Sequence, residues 1–132
     1  MPGKKLKRKT ETEVYDDGSR KETETEYDKD GKPSRKTETE YDKDGKKTKW
    51  TRTWYKKNGK VSRKLVEEYD EEGNKKKSVL TIYFYDREGR VIKTIEDEEA
   101  PDGNSGKKTE TEYDKKGKVK SKKTRPWTKV YI

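Results

Sequence analysis

Threonine and glutamate alternate through much of this chain: KETETEY at 21–27, KTETEY at 36–41 and again KTETEY at 108–113. The alternation turns apolar in the middle, in KTKWTRTWY at 47–55 and SVLTIYFY at 78–85. Period two in Thr, Tyr, Val, Ile and Trp is a strand pattern. No segment carries a helical stripe with caps. Between the strands one phrase recurs: YDKDGK at 27–32 and 41–46, then YKKNGK at 55–60, YDEEGN at 69–74, YDREGR at 85–90 and YDKKGK at 113–118. Turn glycines are expected at 18, 31, 45, 59, 73, 89, 103 or 106, and 117. They predict about nine strands, near 5–15, 19–27, 32–41, 46–55, 60–69, 75–85, 90–98, 107–113 and 118–131.

Asp-x-Asp-Gly suits a type I turn closed by a G1 bulge, with the first Asp accepting backbone N–H groups and Gly taking the positive φ. Such turns allow cross-strand partners to be counted. Pairing Asp42 with Lys46 sets Tyr41 opposite Lys47, Thr39 opposite Lys49 and Thr37 opposite Thr51. The same count sets Tyr55 opposite Val61, Thr51 opposite Leu65, Tyr69 opposite Lys75, Leu65 opposite Val79, Tyr85 opposite Val91 and Thr81 opposite Ile95. A two-residue turn is expected at Asp17-Gly18, with Val14, Thr12 and Thr10 facing Lys21, Thr23 and Thr25. One face then gathers the turn-flanking tyrosines with Leu65, Val79, Tyr83, Val91 and Ile95. The other gathers the glutamates and an apolar patch of Trp50, Trp54, Val66, Leu80, Ile82, Phe84 and Ile92.

Neither face is apolar throughout, whereas a sandwich or filled barrel needs one that is. The expected fold is therefore all-β: one domain over 1–132, an up-and-down antiparallel meander forming an open or incompletely closed single sheet. A closed up-and-down barrel is the alternative. It would set two Lys-rich strands side by side, where like charges destabilise a ladder. Lys and Pro on terminal strands, such as Arg125-Pro126, instead protect exposed edges. Trp127, Val130 and Ile132 are expected to cover something, with the patch around Trp50 a candidate.

Charged residues make up 49% of the chain and apolar residues 22%, a balance that leaves little surface to offset chain entropy. The net charge of +9 sits at the ends: eight Lys and Arg follow Asp114 with no acid among them, and Lys4, Lys5, Lys7, Arg8 and Lys9 precede Glu11. With no Cys and no His, disulfides, thiol nucleophiles, imidazole catalysis and zinc sites drop out. No stretch is long and apolar enough for a membrane helix or a signal peptide. A soluble chain is expected, at home in the cytoplasm of an expression host.

YFYDREGRVIKTI at 83–95 resembles the Tyr-Asp repeats of bacterial Rhs proteins and teneurins, whose strands end in Tyr-Asp-x-x-Gly-Arg; that family builds large β-shells, and only Arg90 here follows its Gly. The whole chain more closely resembles computationally designed β-proteins in its single turn recipe, its propensity-driven surface and its charged edges. Its Lys/Glu/Thr-rich meander is also similar in composition to the single-layer sheet of a spirochaete outer-surface lipoprotein. The design resemblance implies that no natural function need exist.

Each candidate site has a plainer reading. Asp-x-Asp-Gly is a fragment of a calcium loop, but six residues after Gly31 and Gly45 stand Thr37 and Thr51, not Glu, so the turn reading holds. The pairs Glu24/Glu26, Glu38/Glu40 and Glu110/Glu112 neighbour Lys and Arg without apolar surroundings to raise a pKa. Ser78 near Lys64 or Lys76 has no marked pocket. No enzyme, metal or cofactor is expected. Basic residues interleaved with Trp50, Trp54, Tyr55 and Trp127 could bind nucleic acid weakly, but a local mini-core explains the tryptophans better, and nucleic acid is not an expected partner. The expected role is a designed scaffold needing no partner. The alternative is a binding module, including a homodimer, that uses the central apolar patch; a pocket lined by Tyr and Thr on the other face is a further option.

Overall fold

The computed structural model describes residues 7–131 and contains nine strands: β1 (Arg8–Val14), β2 (Arg20–Tyr27), β3 (Pro33–Tyr41), β4 (Lys47–Tyr55), β5 (Val61–Tyr69), β6 (Lys75–Tyr85), β7 (Val91–Glu99), β8 (Ser105–Tyr113) and β9 (Val119–Thr128). Residues 5 and 6 of the expected first strand, with Lys4, Lys5 and Ile132, lie outside the described residues. The strands form one antiparallel sheet in chain order from β1 to β9. The barrel alternative is not realised: β1 and β9 are opposite edges, and backbone pairing among the described strands runs only between sequence neighbours. No helix among the described residues is long and apolar enough to cross a membrane.

The turns follow their chemistry. In the β3–β4 turn the Gly45 N–H donates to the Asp42 carbonyl at 3.0 Å, and Asp42 Oδ1 accepts the N–H groups of Asp44 and Lys46, each at 2.9 Å. Gly45 has φ 82°, a conformation that costs a side-chain-bearing residue free energy. The first hairpin uses the same device, because Gly18 N–H reaches Tyr15 O and Tyr15 N–H reaches Ser19 O, each at 2.9 Å. The expected two-residue turn is thus corrected, and Val14, Thr12 and Thr10 face Arg20, Glu22 and Glu24. Of the two candidate glycines in the β7–β8 hairpin, Gly103 makes the turn.

A second bulge changes the register. Tyr41 faces Lys47 as expected, but Glu40 then faces Lys49, leaving Thr48 without a partner of its own. The same shift recurs beside Tyr27, Tyr55, Tyr69, Tyr85 and Tyr113. The extra residue stands three positions after the turn glycine: Ser34, Thr48, Ser62, Lys76, Ile92 and Lys120. At Ser34 and Thr48 its hydroxyl donates to the carbonyls of Glu26 and Glu40, at 3.1 and 3.2 Å, answering an acceptor that the interrupted ladder exposes. Every pairing counted beyond the turn-flanking tyrosine is therefore off by one. Thr39 faces Trp50, Thr37 faces Arg52, Thr51 faces Val66, Leu65 faces Leu80 and Ile82 faces Ile95. A one-residue shift moves side chains to the other face.

No apolar side chain among the described residues is buried. The buried residues are short hydroxyls, Thr51, Thr53, Ser78, Thr94 and Thr111. Thr53 lies between Lys36 and Lys64, and Thr51 between Glu38 and Val66. In a single layer the long side chains lean over the short ones, with their stems as cover and their charges in water. One rail of that cover alternates in sign across six strands: Glu13, Lys21, Glu40, Lys49, Glu68, Lys77. Opposite charges directly across a ladder stabilise it.

Candidate functional site

The apolar side chains of the central strands meet on one face. Successive cross-strand rows there read Trp54, Arg63, Ile82, Ile95; then Arg52, Leu65, Leu80, Asp97; then Trp50, Glu67, Ser78, Glu99. Of the expected patch, Trp50, Trp54, Leu80, Ile82 and Phe84 share this face, because the register shifts at the β4–β5 and β5–β6 turns cancel between β4 and β6. Val66 does not: it pairs with Thr51 and Val79 on the reverse face. Leu65 takes its place, and Ile95 joins from β7. Ile92 is the extra residue of the β7 bulge; it is 41% exposed and stands with Lys93 and Glu112 at a shallow depression. The hydroxyl spacing after Gly31, Gly45 and Gly59 was the one sequence signal that could have revealed the shift.

Cations lie over the aromatic rings. Arg63 lies 4.3 Å from the ring centroid of Trp54, its direct cross-strand neighbour, and Arg52 lies 4.8 Å from that of Trp50. Lys93 lies 5.0 Å from Phe84, Arg20 4.2 Å from Tyr41 and Lys47 4.2 Å from Tyr69. Each such contact is worth about 0.5–1 kcal/mol at exposed positions. The lids do for the rings what a second sheet does in a sandwich. Phe84 is left 39% exposed at the end of its strand.

The acids around the stripe are held as structural anions. Burial alone would raise Glu67, but hydrogen bonds from Lys75 and Tyr69 and the charges of Lys75 and Lys47 hold it below the ordinary carboxyl value. Tyr69, burdened by burial and by the Glu67 carboxylate, is pushed up to about 12. On the reverse face burial works against Glu38, yet Lys21 at 2.7 Å, with Lys36 and Lys64, brings it below its ordinary value. The lowering of both carboxyls comes from hydrogen bonds and ion pairs that outweigh burial. Glu26 pairs with Arg35 and Glu110 with Lys93, the latter at 2.9 Å. Among the described residues no group of three or more acids could hold a metal ion.

Trp127 does not reach Trp50, since four strands separate them, and it meets that face only at its β7 margin. It lies opposite Gly106 on β8, and its indole Nε1 donates across that glycine to Asp97 Oδ1 on β7 at 2.7 Å. The segment after β9 is fixed beside the β7–β8 turn, where Lys129 N–H donates to Asn104 O at 2.8 Å and the Tyr131 hydroxyl to Asn104 Oδ1 at 2.6 Å. Val130 is exposed. No family model and no curated protein matches the chain.

Proposed function

We propose that the chain is a designed structural scaffold, a single-layer β-sheet built by repeating one bulged hairpin and carrying no natural biochemical activity. The observation that supports this reading most directly is the register. Residues 33–60 comprise two strands and two turns. In β3–β4 they pair Arg35 with Trp54, Thr37 with Arg52, Thr39 with Trp50 and Glu40 with Lys49. A second copy of 33–60 placed after Lys60 would meet β4 through those same pairs, because both turn types impose the same offset. The backbone of each described strand packs only against its sequence neighbours, so stability is close to a sum over units and their interfaces. The lengthened chain is expected to gain two strands, fold with the same β-type circular dichroism and unfold in urea at or above the parental midpoint. Loss of β signal, or a lower midpoint, counts against the scaffold reading.

A second reading makes the aromatic face a site for a second copy of the chain. The exposure of Phe84 and Ile92 favours it, as does the flanking charge. Arg52 and Arg63 lie towards one side of the stripe and Asp97 and Glu99 towards the other, so a copy related by a twofold axis running along the strands brings unlike charges together. On this reading removing Trp50 and Trp54 leaves a folded chain that no longer associates. On the scaffold reading it weakens folding itself.

A further inference from the structure

The two edges of the sheet are unlike. β9 carries Pro126, a bulge at Lys120 and a run of cations, the usual defences against pairing. β1 has no proline and no bulge, and every residue in it is exposed. We propose that β1 is a self-complementary edge through which two copies of the chain join antiparallel about a twofold axis at Thr10, making one continuous sheet.

Hydrogen-bond parity narrows the register. Tyr27 N–H donates to Lys7 O, and Tyr15 N–H donates to Ser19 O, each at 2.9 Å. The β1–β2 ladder between them is unshifted. Hydrogen-bonded and non-hydrogen-bonded pairs alternate along an antiparallel ladder. Odd-numbered residues of β1 therefore turn their backbone groups to β2, and Arg8, Thr10, Thr12 and Val14 turn theirs outward. An incoming copy must set even residues opposite even residues.

Charge then selects among the allowed registers. The segment Lys7–Glu13 reads KRKTETE, basic in its first half and acidic in its second. With Thr10 opposite Thr10 of the second copy, Lys9 faces Glu11, Lys7 faces Glu13 and Arg8 faces Thr12, each twice by symmetry. Sliding to the next allowed register in one direction sets Glu11 against Glu11; in the other it sets Lys9 against Lys9. Both are penalised. The chosen register also extends the alternating rail, because Glu13 would have Lys21 on one side and Lys7 of the second copy on the other. Lys9 and Glu11 pair with one another at 2.8 Å in the single chain, both about half exposed, and exchanging partners keeps each charge matched. Main-chain bonds supply affinity in such strand addition and the side-chain pairs set the register.

The test uses charge exchange, read by sedimentation over a concentration series with circular dichroism to establish folding. The parental chain is expected to dimerise reversibly. Lys9→Glu alone and Glu11→Lys alone each set like charges against one another at two symmetric places, and each is expected to weaken association roughly tenfold or more. An equimolar mixture of the two variants restores complementarity at both places and is expected to form a heterodimer. Thr10→Pro, which removes only an outward N–H, is expected to abolish pairing while the β1–β2 ladder persists. A parental chain that stays monomeric at millimolar concentration, single variants that associate like the parent, or a mixture that stays monomeric would each overturn the proposal.

Discussion

Gly106→Ala is expected to cost about 3 kcal/mol of stability, the upper part of the usual range for overpacking. Gly106 is not a turn residue; it lies in β8 between Glu99 and Trp127. A Cβ there would meet the backbone carbonyl oxygen of Glu98 at 2.2 Å and two indole carbons of Trp127 at 2.7 Å. The ring can swing away only by giving up its bond to Asp97. The carbonyl can move only if β7 and β8 separate locally. The indole compensates for the missing side chain by packing on the glycine, a device that suits a weak point near a sheet edge. Urea denaturation followed by circular dichroism gives the loss as a fall in midpoint at constant slope. An unchanged midpoint would mean that Trp127 does not sit over Gly106 as described.

The double variant Trp50→Ala, Trp54→Ala is expected to lose about 4 kcal/mol, well below the sum for two fully buried tryptophans because both rings are only partly buried. Trp54 lines one depression with Leu65 and Leu80, and that apolar lining is lost. The Arg52 and Arg63 guanidinium groups lose the rings they cover. A domain this thin in apolar surface stands near the lower end of the ordinary range of about 5–15 kcal/mol, so the variant is expected to be largely unfolded on warming. The measurement is a thermal melt beside sedimentation. A variant that melts like the parent and has lost only self-association would transfer the two tryptophans from stability to binding.

Strands and turns were legible because their chemistry is local. Tyr-Asp-x-x-Gly fixes a turn, Thr/Glu alternation fixes a strand, and the open sheet follows from the absence of a continuous apolar face. The pairing of each turn-flanking tyrosine, such as Tyr69 with Lys75, was also legible. The second bulge was not, because its extra residue has no obligatory type. Ser34, Thr48 and Ser62 carry a hydroxyl signature, but Lys76, Ile92 and Lys120 occupy the same place without it. Trp50, Trp54, Leu80, Ile82 and Phe84 share a face because two shifts cancel between β4 and β6, whereas on the strand between them Leu65 stands where Val66 is expected. Trp127 over Gly106 was illegible, since it depends on a register between β8 and β9 that no single residue announces. The buried threonines run against the usual link between burial and apolarity; they follow from side-chain length in a sheet with no second layer.

The repeated second bulge decides which side chains share a face. Few residues carry methyl-rich side chains here, so a methyl-resolved nuclear Overhauser spectrum tests it directly. Cross-peaks are expected between Leu65 and Leu80, between Val66 and Val79, and between Ile82 and Ile95. A strong Leu65–Val79 cross-peak with no Leu65–Leu80 cross-peak would restore the unbulged register and contradict a second bulge at this turn.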